Sequence, residues 1–161
     1  MSRDSMHNGG AYCRTERVLG NTTAETETDG DWIDRKDPND KGIALSAKLV
    51  INYTAVLIDG GTLDLAVTFR DATSLAGAGA DDLWTMSSTT VDTANSGGET
   101  VKGTAEIDVD LAEANQFVQA QITLAASGGG TVAYSASLVL FGDHRQPSTK
   151  ALATLGGATS I

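Results

Sequence analysis

The sequence predicts an all-β fold, an antiparallel β-sandwich or barrel, jelly-roll-like or immunoglobulin-like, with an extended N-terminal arm and a short C-terminal tail. Three observations predict it. Apolar residues recur at every second position in long runs between Ile43 and Phe141, turn-forming Gly, Asn and Asp clusters separate those runs, and no stretch carries the 3.6-residue period of an amphipathic helix. The texture changes at two places, which divides the chain into an extended polar arm (1–42), a sandwich body (43–141) and a tail (142–161).

Six strands follow in order. From Ile43 to Leu57 every odd position is apolar, which makes a long strand with one buried face. Asp59-Gly60-Gly61 is a tight-turn signal, and Leu63, Leu65, Val67 and Phe69 resume the alternation, so the expected reading is a hairpin. The loop ATSLAGAGADD comes next, and then a weaker Thr/Ser-rich strand from Leu83 to Val91. After Asn95-Ser96-Gly97-Gly98, Val101 to Leu111 alternates against Glu106, Asp108 and Asp110, an acidic solvent face. Ala112 to Gln116 has the composition of a single helical turn. Val118, Ala120, Ile122 and Leu124 then form a strand that crosses Ser127-Gly128-Gly129-Gly130 into the last one, Val132 to Leu140, again as a hairpin.

Charge sets bounds on partners. The 161 residues carry 11 Lys+Arg against 21 Asp+Glu, a formal net charge of −10. Nucleic acid is not an expected partner, because its binding rests on Lys and Arg neutralising phosphates. Nor is a membrane, since the most apolar window, Leu49 to Ile58, is interrupted by Asn52 and Thr54 and is far short of a bilayer span. Residues 1–12 contain no apolar segment of the kind a secretory signal needs. The charge is uneven. The arm mixes 6 basic with 9 acidic side chains, the body has 3 against 11, and the tail 2 against 1.

No constellation for catalysis emerges, so the chain is not expected to be an enzyme. Cys13 is the single cysteine, and the two histidines, His7 and His144, stand outside the body with no nucleophile placed beside them. Five carboxylates lie between Asp29 and Asp40, yet the fifth position of a calcium loop begun at Asp29 is Ile33 and no Glu closes it, so no metal is expected. The glycines at Gly77, Gly79 and Gly128 to Gly130 lack the Lys-Ser/Thr ending of a phosphate loop, and no cofactor is expected. Trp32 and Trp84 are the residues suited to stacking on a sugar.

The acidic segment with Trp32-Ile33-Asp34, the strand LSAKLVINYTAVLI, then GGTLDLAVTFRDA and finally FVQAQITLAASGGGTVAYSASLVLFGDHRQP together resemble the small jelly-roll cement, or decoration, proteins of tailed bacteriophages over residues 30–147. The resemblance implies a virion structural protein, assembled in the host cytoplasm, that sits on the outer capsid surface. It also implies the major capsid protein and neighbouring copies of the chain as partners. Contacts are then expected at Arg3, Arg14, Arg17, Trp32, Arg35 and Lys36 in the arm and at Arg145 and Lys150 in the tail. Two other readings fit the same residues: another virion part such as a tail, connector or fibre subunit, and a carbohydrate-binding sandwich using Trp32, Trp84 and Tyr53.

Overall fold

A computed structural model describes residues 13–36 and 42–142. Its strands are β1 (Cys13–Thr22), β2 (Thr28–Asp29), β3 (Ile33–Asp34), β4 (Ser46–Leu57), β5 (Thr62–Ala72), β6 (Asp81–Thr93), β7 (Glu99–Asp110), β8 (Phe117–Ala126) and β9 (Thr131–Phe141). No α-helix occurs among the described residues, and the Ala112 to Gln116 segment is a turn closed by the Ala114 N–H on the Leu111 carbonyl at 3.1 Å. All pairings are antiparallel. The first sheet has the order β1-β9-β4-β7, and the second has β2-β8-β5-β6 with β3 also paired to β8. This is the jelly roll, two interleaved Greek keys folded into a sandwich.

That order corrects the hairpins. β4 belongs to the first sheet and β5 to the second, so Asp59-Gly60-Gly61 carries the chain across the sandwich rather than back along the same sheet. The Ser127–Gly129 turn does the same between β8 and β9, with Gly128 and Gly129 at φ 75° and 98°. Among consecutive strands only β5 and β6 form a hairpin. Alternation and turn residues say where a strand stops, but not which sheet the next one joins.

The sandwich also begins earlier than the arm boundary at residue 42. β1 lies beside β9 with Cys13 opposite Phe141, and β2 and β3 are two short pieces that cover the edge of β8. β1 breaks its alternation at two register shifts beyond Arg17, which hides it in the sequence, and two-residue strands have no period to show.

Between the sheets, inward side chains of the four central strands β4, β5, β8 and β9 are closed off from solvent. Leu49, Ile51, Leu63, Phe69, Ile122 and Leu124 are all 0% exposed. Each such burial contributes roughly 1.5 to 3 kcal/mol relative to exposure, so the alternation read from the sequence is the driving pattern of the fold. Tyr53 points inward too, across Gly103 of β7, where a Cβ would sit 2.5 Å from the phenol oxygen. That placement leaves it half-buried and unsuited to stacking on a sugar.

β6 is different. Its pairing with β5 slips three times, so its partly buried apolar residues fall at Leu83, Met86 and Val91 instead of every second position. This is why the segment reads as a weak strand. Bulges twist an edge strand away from flat pairing, one of the ways a sandwich protects an edge that carries no charge between Leu83 and Val91. The edge beside it, β7, is guarded instead by Lys102, Glu106, Asp108 and Asp110.

Gly30 shows how closely the N-terminal run is applied to the sandwich. A Cβ there would lie 2.4 Å from a Val18 methyl and 2.8 Å from the Ala120 carbonyl, whereas one at Gly20 would meet nothing within 4 Å. Gly30→Ala is expected to cost about 1–3 kcal/mol by overpacking, and Gly20→Ala to stay within about 0.5 kcal/mol, as read by urea unfolding. Equal values would contradict this packing.

Candidate functional site

Two places on the sandwich gather polar side chains with a definite arrangement. The first is the seat of the N-terminal run. Arg35, just past β3, is 3% exposed, and its guanidinium is spent on backbone carbonyls: Nε donates to Asn115 O at 2.7 Å, Nη1 to Ala44 O at 2.8 Å and to Leu111 O, and Nη2 to Ala114 O. The Arg35 N–H adds a bond to Gln116 O at 2.9 Å, and the Ala44 N–H donates back to Arg35 O at 3.1 Å. One side chain thus ties the chain after β3, the lead into β4 and the β7–β8 connection together. Burial pulls its pKa below the usual arginine value, and the nearby carboxylates of Asp71 and Asp34 pull it back up. Asp71 is itself 7% exposed and accepts the Asn115 N–H at 2.6 Å.

Arg14 of β1 is also buried, at 1% exposed, and donates to Lys36 O at 3.0 Å and Asp34 O, with Glu16 3.6 Å from its Nε. The two arginines therefore hold the run from the inside. Neither presents its charge to a partner, which removes Arg14 and Arg35 from the expected capsid contacts. The physical reason is that a bulged edge strand and a turn leave carbonyls unpaired, and a planar guanidinium satisfies several of them at once. The sequence offered no sign of this, since a buried and an exposed Arg read alike.

Arg17 and Lys36 remain exposed on the β1 and β3 edge of the sandwich. Arg17 meets Asp31 at 3.4 Å with both side chains largely in water, a pair worth little. Trp32 is half-buried, and its indole lies about 3.0 Å from where a Cβ on Gly77 would stand, so it packs on the 73–80 loop. Arg3, Arg145 and Lys150 lie outside the described residues, as do His7, His144 and residues 37–41 of the acidic segment. Within what is described of that segment, Asp29 accepts from Gln121, Asp31 meets Arg17, and Asp34 accepts from Gln116 and the Lys36 N–H. No group of three metal-type ligands occurs among the described residues.

The second place is the open seam between β6 and β7, the outer strands of the two sheets on one side. A cleft of about 490 Å³ there is lined by Leu83 and Trp84 of β6, Asp108, Val109 and Asp110 of β7, and Glu113. A shallower hollow of about 330 Å³ continues from Asp108–Asp110 over Ser46 to Phe141. Trp84 is 39% exposed and Phe141 37%. Lys48 partly neutralises the wall, at 2.8 Å from Glu106 and 3.6 Å from Asp108. Its pKa is raised, first by the hydrogen bond to Glu106 and then by the charge of Asp108. No cation among the described residues stands within ion-pair distance of Asp110 or Glu113. The sequence placed the acids of β7 on a solvent face correctly, but Trp84 joins them only because the sheets leave this side open.

No protein-family model and no curated protein matches the sequence. Solved structures similar to the chain include that of the infectious bursal disease virus Gx strain, at 13% identity over 84% of this chain and 34% of that one, with a TM-score of 0.42. Dimeric latent PorU from Porphyromonas gingivalis is similar at 11% identity over 82% and 13%, TM-score 0.43. A Clostridium thermocellum xylanase 10B fragment with CBM22-1 and GH10 modules is similar at 11% over 84% and 27%, TM-score 0.36. The chain spans about a third or less of each of these, and the likeness is one of β fold alone.

Because each buried carbonyl left without a donor costs about 1–3 kcal/mol, Arg35→Met is expected to lose more than about 3 kcal/mol in urea unfolding. Arg35→Lys should recover only part, lacking the planar fork, while Arg17→Met stays within about 0.5 kcal/mol. An Arg35→Met variant as stable as Arg17→Met would contradict the role given to Arg35.

Proposed function

We propose that the chain is a virion structural protein, a cement protein that binds the outer surface of a phage head and bridges major capsid subunits. The observation that supports this reading best is a complete jelly roll, an architecture common among capsid domains, with an N-terminal edge that mixes exposed cations and carboxylates able to pair with a protein surface. Arg17 and Lys36 lie exposed on the β1 and β3 edge together with Asp29 and Asp31, and the acidic seam of Asp108, Asp110 and Glu113 lies on the opposite β6 and β7 edge. In this reading the N-terminal edge faces the shell and the acidic edge faces water. Arg14 and Arg35 act from within, fixing the geometry of the edge that binds. Weak contacts of this kind sum over many copies that bridge neighbouring subunits.

The reading assigns the protein no catalysis and no cofactor. Immunogold electron microscopy of purified virions with antibody to this chain tests it: label is expected on icosahedral heads, and label confined to tails or fibres would replace the cement reading with that of a tail or fibre subunit. In co-sedimentation with heads, Arg17→Glu with Lys36→Glu is expected to weaken binding by about tenfold, equivalent to ~1.4 kcal/mol. Undiminished binding would exclude the β1 and β3 edge as the contact.

One observation favours a second reading. Trp84 stands 39% exposed beside three carboxylates in the seam, an aromatic face next to hydrogen-bond acceptors of the kind sugars bind. Glycan-array binding that disappears in Trp84→Ala would favour a carbohydrate-binding sandwich.

A further inference from the structure

The seam between β6 and β7 combines an apolar floor with charge that nothing described neutralises. Leu83, Trp84 and Val109 supply the floor, and Asp110 and Glu113 stand at its wall with no cation of the described residues at ion-pair distance. Asp110 orients its carboxylate by accepting the Ala112 N–H at 2.9 Å, which leaves its second oxygen for another donor. The hollow that continues the seam ends at Phe141, the last residue of β9. The chain therefore leaves the sandwich at the mouth of the same groove.

We propose that the seam is the docking site of the chain's own C-terminal segment, residues 143–161, which lie beyond the described residues. Three facts support that occupant. The first is reach. Phe141 pairs with Ser46 and Ser46 with Asp110, so Asp110 is two strands away, about 10 Å at ~4.8 Å per strand. Arg145 is four residues past Phe141, about 13 Å of extended chain, and Lys150 is nine residues past it, about 30 Å. Both therefore reach the seam.

The second is charge. The segment holds Arg145 and Lys150 against a single acidic side chain, Asp143, whereas the body carries 3 basic and 11 acidic residues. Guanidinium on the free carboxylates forms the strong, charge-assisted class of hydrogen bond. The third is composition, since Leu152 and Leu155 follow Lys150 and supply the apolar side chains that a floor of Leu83, Trp84 and Val109 accepts. Docking in this way covers Trp84 and keeps Arg145 and Lys150 on the acidic edge, away from the β1 and β3 edge. It stands independently of head binding, because it concerns the free protein.

The test reads Trp84 directly. In full-length protein carrying Trp32→Phe, quenching by neutral acrylamide is compared between Arg145/Lys150, the pair Arg145→Glu with Lys150→Glu, and the conservative pair Arg145→Lys with Lys150→Arg. The expected result is low quenching in the first and third and a rise, with red-shifted emission, in the acidic pair. Near 1 M salt, where screening acts over about 3 Å, the difference should shrink. Asp110→Asn with Glu113→Gln should reproduce the rise. Identical quenching in all forms would overturn the proposal, as would quenching that changes with protein concentration, which would assign the seam to the segment of a second copy. Head labelling is unaffected by either outcome, so the two readings fail separately.

Discussion

A buried guanidinium is expensive to desolvate and is tolerated only when its donors are met. Arg35 meets that condition with four carbonyls from two separate parts of the chain: Ala44 on the lead into β4, and Leu111, Ala114 and Asn115 in the β7–β8 connection. Most consecutive strands here change sheets, β7 to β8 among them, so the connections at one end of the sandwich are turns with unpaired carbonyls. Arg35 closes that end. Arg14 does the corresponding work under β1 by binding Asp34 and Lys36 carbonyls, and Gly30 lets β2 and β3 lie flat against Val18 and Ala120. The remaining architecture, including the edge that faces outward at Arg17 and Lys36, depends on this seating.

The body of the fold was legible because its physics is periodic. β4, β5, β7, β8 and β9 alternate through their length, and each expected strand appears within a few residues of its place. What could not be read was non-local. Strands β1 to β3 carry their pairing in another part of the chain, on β9 and β8, and β1 slips register. The hairpins expected at Asp59-Gly60-Gly61 and at the Ser127 turn are sheet crossings, because a glycine permits the turn without specifying the direction taken.

The candidate site divides along the same line. Glu106, Asp108 and Asp110 follow from alternation, and they are exposed as expected. That Arg14 and Arg35 are structural follows only from where carbonyls are left over after the sheets form. That Trp84 meets the β7 acids follows only from the bulges in β6 and the gap between the outer strands. The net charge of −10 is carried on both sides of the sandwich, with Glu25, Glu27, Asp29 and Asp31 exposed in the N-terminal run and Asp108, Asp110 and Glu113 at the seam, so what sets the first side apart is Arg17 and Lys36 among its acids.

Hydrogen exchange on the full-length chain, free and bound to heads, tests the central claim most directly, that residues 13–36 are an integral edge of the sandwich and the side that meets the shell. In the free chain β1 should be protected to the same order as β4, and binding should add protection within 13–36 while leaving β6 and β7 unchanged. Fast exchange throughout 13–36 in the free chain, or new protection confined to β6 and β7 on binding, would contradict the account.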